Sequence, residues 1–114
     1  MTKSFRSVCP IACTMDLLGD RWTLVVVRDL FLGRRYFKDF LASPEKISTN
    51  ILTDRLNKLV DGGLVQANPD PNTVGRNMYA LTDKGHSLVP VLEVIRDWGL
   101  NNIEGTSVRL TATS

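Results

Sequence analysis

A mainly helical α+β domain with one small β-hairpin is what this chain of 114 residues predicts. Three observations lead there. An amphipathic stretch opens at Ser48 and closes at Gly62-Gly63; two short apolar runs follow around a loop of proline, asparagine and glycine; and Thr82-Asp83-Lys84-Gly85 then begins a further helical pattern. Helix, hairpin, helix in that order is the plan of a winged helix-turn-helix, a unit shaped to place one helix in a DNA major groove with a loop beside it.

The totals fit one domain over residues 1–114, with 1–8 and 105–114 expected to be flexible ends. Hydrophobic residues make up 43% and charged residues 23%, the ordinary globular mix. The apolar run at residues 24–27 is closed by Arg28-Asp29, far short of the roughly 20 residues a membrane span needs. No apolar stretch near the start has the length of a signal peptide core, so a cytoplasmic protein without a membrane partner is expected. Two cysteines are too few for a secreted disulfide framework, which agrees with a reducing compartment.

Net charge is only +2, but residues 34–58 hold six basic and three acidic side chains, a local excess that suits a polyanion. No Ser/His/Asp set, paired carboxylates, phosphate loop or cofactor motif is present, so no enzyme and no cofactor are expected. His86 is the only histidine and the two cysteines lie far from it in sequence, so no metal site is expected either.

Taken in order, Pro10 suits the first turn of a helix whose apolar positions are Ile11, Ala12, Met15 and Leu18, ended by Gly19. Asp20 is placed to cap a second helix over 21–32. That helix is apolar nearly all round, through Trp22, Leu24, Val25, Val26, Leu30 and Phe31, and is expected to be central and buried. A short third helix over 36–41 turns Phe37, Phe40 and Leu41 inward, and Pro44 makes a turn of the residues that follow.

Ser48 caps the fourth helix, expected to run to Asp61. On a wheel of about 100° per residue, Leu52, Leu56, Leu59 and Val60 form one face while Asn50, Thr53, Asp54 and Asn57 form the other. Thr49 and Arg55 fall on its flanks, and Lys58 at the rim. Such a polar, mixed face suits hydrogen bonds to base edges, with asparagine able to pair with adenine and arginine with guanine.

Strands are expected at 64–67 and 77–81, joined by a loop over 68–76. The last helix, 83–104, starts at a Thr82 cap, and Pro90 inside it predicts a kink or an early break. Arg34 and Arg35 precede a helix N-terminus, where guanidinium and backbone amides together can hold a phosphate. Arg76, beside Asn72 and Thr73 in the loop, is placed to reach a minor groove or its backbone.

These residues carry a family resemblance. Cys9-Pro10, Gly19-Asp20-Arg21-Trp22-Thr23-Leu24, Arg28-Asp29-Leu30, Ile47-Ser48, Leu52-Thr53-Asp54-Arg55-Leu56, Asp61-Gly62-Gly63-Leu64-Val65, Tyr79-Ala80-Leu81-Thr82-Asp83-Lys84-Gly85 and Arg96-Asp97-Trp98-Gly99 occur in an order similar to that of the HxlR-type bacterial winged-helix transcriptional regulators. The resemblance implies a homodimer on a pseudo-palindromic double-stranded operator, with the terminal helices forming the dimer contact. Ile11, Met15, Leu92, Ile95 and Trp98 are the expected contact residues. Met78 and Asn50 depart from the family pattern, which commonly has an acid and a base at these positions.

The DNA-contacting set is therefore expected to be Arg34, Arg35, Ser48, Thr49, Asn50, Thr53, Asp54, Arg55, Lys58, Asn72, Thr73 and Arg76. Cys9, at a helix N-terminus that favours a thiolate, and Cys13, one turn further, are candidate sites for an oxidant effector. A small-molecule effector at the dimer contact is a second route of regulation. The rival to DNA recognition is a winged-helix module that binds protein through the same surfaces.

Overall fold

Pro10 opens α1 (Pro10–Leu18) from its first turn, where the missing N–H costs nothing, and Cys9 precedes it in an extended conformation. The computed structural model describes residues 7–107, so the expected flexibility of 1–6 and 108–114 lies outside the described residues. Asp20 caps the next helix as expected: its carboxylate accepts from the amides of Trp22 and Thr23 at 2.7 and 3.0 Å. Because those amides belong to the cap, α2 spans Thr23–Phe31 and begins later than the predicted residue 21. The short α3 (Phe37–Leu41) likewise starts one residue late, since Tyr36 is extended and its amide donates to the Asp39 carboxylate at 3.2 Å.

The turn from α3 to α4 (Thr49–Asp61) contains Lys46 at φ 60°, a left-handed backbone that side chains other than glycine and asparagine rarely adopt. Gly62 ends α4, and Gly63 at φ 76° turns the chain into β1 (Val65–Pro69). This strand pairs antiparallel with β2 (Asn77–Leu81) in the register Val65↔Leu81 to Pro69↔Asn77. β1 therefore runs two residues further than predicted, and the loop shrinks to residues 70–76, closed by the Asp70 amide on the Arg76 carbonyl at 2.7 Å. On the other side of β2, the Tyr79 amide donates to the Arg35 carbonyl at 2.8 Å, which ties the segment before α3 to the hairpin.

The predicted last helix is broken early, as Pro90 suggested. α5 (Asp83–His86) is a single turn, and α6 (Val89–Asn102) restarts with Pro90 in its own first turn. The Thr82-Asp83-Lys84-Gly85 motif has a specific task here. The Thr82 hydroxyl accepts from the Gly85 amide at 3.1 Å and donates to the Gly63 carbonyl. Lys84 Nζ reaches the Gly62 carbonyl at 3.0 Å, and the Thr82 amide donates to Leu64 at 3.1 Å. The carbonyls of Gly62, Gly63 and Leu64, in the turn that follows α4, are thus met by one tetrapeptide.

The core lies under α4 and the hairpin: Val26 and Val27 from α2, Phe40 from α3, Leu52, Leu56 and Leu59 from α4, and Val65 and Leu81 from the strands. Tyr79 meets the Phe40 ring edge-on at a centroid distance of 6.3 Å. Phe37 and Leu41 pack against this cluster, as predicted. One expectation needs correction. α2 is covered on one side rather than all round: Trp22, Leu24 and Val25 are half-buried and Phe31 is exposed. In α1 only Leu18 is buried, and Ile11 and Met15 are exposed among the described residues.

At Gly85 a Cβ would sit 2.1 Å from the Leu64 carbonyl oxygen, so α5 can lie on the hairpin only with glycine there. Gly85→Ala is expected to cost about 1–3 kcal/mol by overpacking. Thermal denaturation should show the midpoint falling by roughly 5–15 °C.

Candidate nucleic-acid interface

The Ser48 hydroxyl accepts from the Ile51 amide at 3.3 Å and sets the phase of α4. With Leu52, Leu56 and Leu59 sealed below, Thr49, Asn50, Thr53, Asp54, Asn57 and Lys58 are exposed above. The Thr53 hydroxyl donates back to the Thr49 carbonyl at 2.8 Å. Among the described residues the side chains of Thr49 and Asn50 have no internal partner, so their hydrogen-bonding groups face solvent free.

Arg55 behaves differently from its neighbours. Its Nε donates to Asp20 Oδ1 at 2.9 Å, Nη1 meets the Asp54 carboxylate, and the side chain is only 19% exposed. One carboxylate therefore starts α2 and also grips α4. Burial alone would raise the pKa of Asp20. Hydrogen bonds from the Thr23 hydroxyl, the Trp22 amide, the Arg55 guanidinium and the Thr23 amide outweigh it and hold the carboxyl far below its ordinary 3.8. Lys58 Nζ lies 3.7 Å from Asp54, an exposed pair one helical turn apart.

A second polar frame fixes the turn between α3 and α4. Asp29 is buried in α2, where its carboxylate accepts from the Ser43 hydroxyl and from Arg28 Nη2 at 2.9 Å. The same guanidinium grips both oxygens of Glu45, at 2.8 Å each, and mainly through these hydrogen bonds keeps Glu45 below its ordinary 4.5. Ser43 and Glu45 belong to the turn, so α2 positions the start of α4 from beneath.

The wing is held by a third such contact. Arg76 Nη2 and Nε lie 2.8 and 2.9 Å from the buried Asp70 carboxylate, and its guanidinium stacks over the Tyr36 ring at 4.0 Å. Asp70 also accepts from the Asn72 amide at 3.0 Å, which with Arg76 keeps its carboxyl below the ordinary 3.8. Asn72 and Thr73 stand exposed at the tip. Arg34 is half-buried and Arg35 exposed; with Lys38 and Lys46 they flank the turn, and Arg35, Lys38 and Lys46 have no side-chain partner among the described residues. Every residue of the expected set thus lies on α4, on the segment before α3, or on the wing, with Arg55 and Arg76 already engaged by carboxylates.

Sequence reasoning missed this polar frame. Local pattern points to Asp20 only as a cap and gives Asp29, Ser43, Glu45, Asp70 and Tyr36 no part in the site. The one signal available is the charged pair Arg28-Asp29 between apolar residues on either side. Cys9 and Cys13 are both unbridged; Cys9 is exposed, and Cys13 is half-buried with Sγ 3.1 Å from the Ser7 carbonyl. Among the described residues no group of His, Cys, Asp or Glu could hold a metal, and no helix is long and apolar enough to cross a membrane.

A buried hydrophobic seat under one polar helix, a turn pinned to the helix beneath and a hairpin at its side define a winged helix-turn-helix. The chain belongs to the HxlR-like helix-turn-helix family, which it matches over residues 17–107. The uncharacterized HTH-type transcriptional regulator sll1512 of Synechocystis sp. is 34% identical over 100 residues, covering 88% of this chain and 74% of that protein. The solved structure of PA1607 superposes with a TM-score of 0.81 at 37% identity, covering 91% of this chain and 74% of the other. The redox regulator HypR in its reduced form follows with 0.75 at 26% identity, covering 84% of this chain and 95% of that one. The protein is accordingly a DNA-binding transcriptional regulator, in a family of regulators rather than of enzymes.

The carboxylates of the frame give stability a pH dependence of known sign. Asp20, Asp70 and Glu45 have lowered folded-state pKa values against ordinary values of 3.8, 3.8 and 4.5. Their contribution is complete above those values and is lost as the pH falls through the lowered ones. The thermal midpoint should be level above about pH 5 and fall progressively below it. Asp20→Asn should lower the midpoint at pH 7 and reduce the loss between neutral and acid pH.

Proposed function

We propose that the chain binds a pseudo-palindromic operator as a homodimer, with α4 in the major groove and the wing beside it. The observation that carries this reading is the α4 surface: free amide and hydroxyl groups at Thr49 and Asn50, bordered by the cations Arg35, Lys38, Lys46 and Lys58. Thr49, Asn50, Thr53 and Asp54 meet base edges. Arg34, Arg35, Ser48 and Lys58 meet phosphates, and Asn72 and Thr73 meet the backbone beside the minor groove. Arg55 and Arg76 touch DNA only by exchanging Asp20 or Asp70 for a phosphate, so in the free protein they serve to hold α4 and the wing.

Dimerisation is supported by the outer faces of α1 and α6, where Ile11, Met15, Val94, Ile95 and Trp98 are all about half exposed or more. Leu92, also expected in that contact, is half-buried against the chain's own core and contributes from beneath. A two-fold arrangement would set the two α4 helices about 34 Å apart, one turn of DNA.

Fluorescence anisotropy with DNA from upstream of the gene and a scrambled duplex should show a preference of ~1,000-fold or more, weakening steeply with salt. Lys58→Ala should lower the salt slope by about 0.9. Asn50→Ala should cost about 1–3 kcal/mol and relax specificity at one base pair. Equal, weak, salt-insensitive binding to both duplexes would defeat the reading and favour a protein partner.

We also infer that Cys9, exposed at the start of α1, is the oxidant-sensitive thiol. HypR, a redox regulator, is among the similar structures. Cys9 precedes α1 in an extended conformation while Cys13 Sγ is turned to the Ser7 carbonyl, so oxidation at Cys9 would join two subunits. Mild diamide treatment should produce a disulfide-linked dimer on a non-reducing gel and change operator affinity, both lost in Cys9→Ser. Monomer only, with unchanged binding, would exclude the sensor.

A further inference from the structure

α6 has two apolar faces rather than one. At about 100° per residue, Val89, Leu92 and Arg96 point one way, toward α2, while Val91, Val94 and Trp98 point the opposite way, to solvent. Between the inner face and α2 lies a partly open cavity of about 210 Å³, lined by Leu24, Val25, Phe31, Val89, Leu92 and Ile95, with Arg28, Glu93 and Arg96 at its wall. It has room for one or two rings.

The cations around it are already engaged. Arg28 is held by Asp29 and Glu45, and Arg96 Nε sits 2.9 Å from Asp97, with Glu93 adding to the field on it. No free cation in the wall calls for an anion, and an anionic group entering beside Glu93 would bear an uncompensated desolvation cost. Arg28 also links the cavity to the DNA-facing side, since its stem lines the space while its guanidinium grips Glu45 in the turn before α4.

We propose that the cavity between α2 and α6 is an effector site for a small, uncharged, mainly apolar molecule of one or two rings, whose occupancy shifts the turn before α4 through Arg28 and Glu45. This deepens the regulator reading by naming the class of effector, but its site can be tested without DNA. A ring inserted against Arg28 competes for the space its stem occupies, and the guanidinium is rigidly joined to Glu45, so displacement at one end reaches the other. Unlike thiol oxidation at α1, this route involves no covalent step.

The test is a titration of the reduced full chain, isotopically labelled, with 2-naphthol at neutral pH, followed by NMR. The expected result is saturable one-to-one binding with shifts at the methyl groups of Leu24, Val25, Val89 and Leu92 and at the amides of Glu45 and Lys46. The anion 2-naphthoate should bind at least tenfold more weakly. Val25→Phe, checked for its fold by circular dichroism, should reduce naphthol binding by a similar factor. Glu45→Gln, which leaves the wall intact, should keep the methyl shifts and lose those in the turn. No saturable binding, equal binding of the anion, or shifts confined to Val91, Val94 and Trp98 would each overturn the site. Methyl shifts without turn shifts in the native chain would overturn the coupling.

Discussion

The grip of Arg28 on Glu45, backed by Asp29 on Ser43, is the contact on which the rest of this protein depends. The turn between α3 and α4 is short, carries Lys46 in a left-handed conformation, and by itself would not define the direction of α4. Taking Asp29 out of water is costly, and breaking such a set by removing one partner strands a buried charge. The set is therefore useful less as net stabilisation than as a fixed geometry. Two elements distant in sequence are registered to within a hydrogen bond.

Around this anchor the chain separates charges that hold from charges that remain available. Asp20 with Arg55, and Asp70 with Arg76 and Tyr36, brace α4 and the wing from opposite sides. Both arginines are thereby engaged by carboxylates, while Arg35, Lys38, Lys46 and Lys58 stay outside. A modest net charge of +2 is then less limiting than it looks, because Arg35, Lys38 and Lys46 remain unpaired among the described residues beside the exposed face of α4. Preorganisation of this kind lowers the ordering cost that binding would otherwise incur.

The order of elements could be read from the sequence because each boundary has a local cause: Pro10 at a first turn, Asp20, Ser48 and Thr82 as caps, Gly63 as a stop, Pro90 as a break. The amphipathic face of α4 was equally legible, since helical periodicity alone separates Leu52, Leu56 and Leu59 from Asn50, Thr53 and Asn57. Burial was not. Whether Ile11 or Phe31 faces inward depends on which element lies over it, and that is a property of the whole fold. The polar frame was hidden for the same reason: Arg28 and Glu45 are separated by 17 positions and Asp20 and Arg55 by 35, with no periodicity to join them. A candidate site made of exposed side chains on one helix is local and readable; the residues that aim it are not.

α1 and α6 stand apart from this rigid centre. α1 contributes one buried side chain and α6 none, although both carry large apolar residues. Segments with so few buried contacts have little intrinsic resistance to displacement, and their positions are set by whatever lies against them. The centre, by contrast, moves as a unit because α2, α3, α4 and the hairpin share one core. In the proposed dimer a shift at α1 or α6 would thus be transmitted as rigid-body motion of two recognition helices. A small rotation there acts over the whole distance between half-sites, and fit to a duplex of fixed pitch is lost before any recognition residue is disturbed.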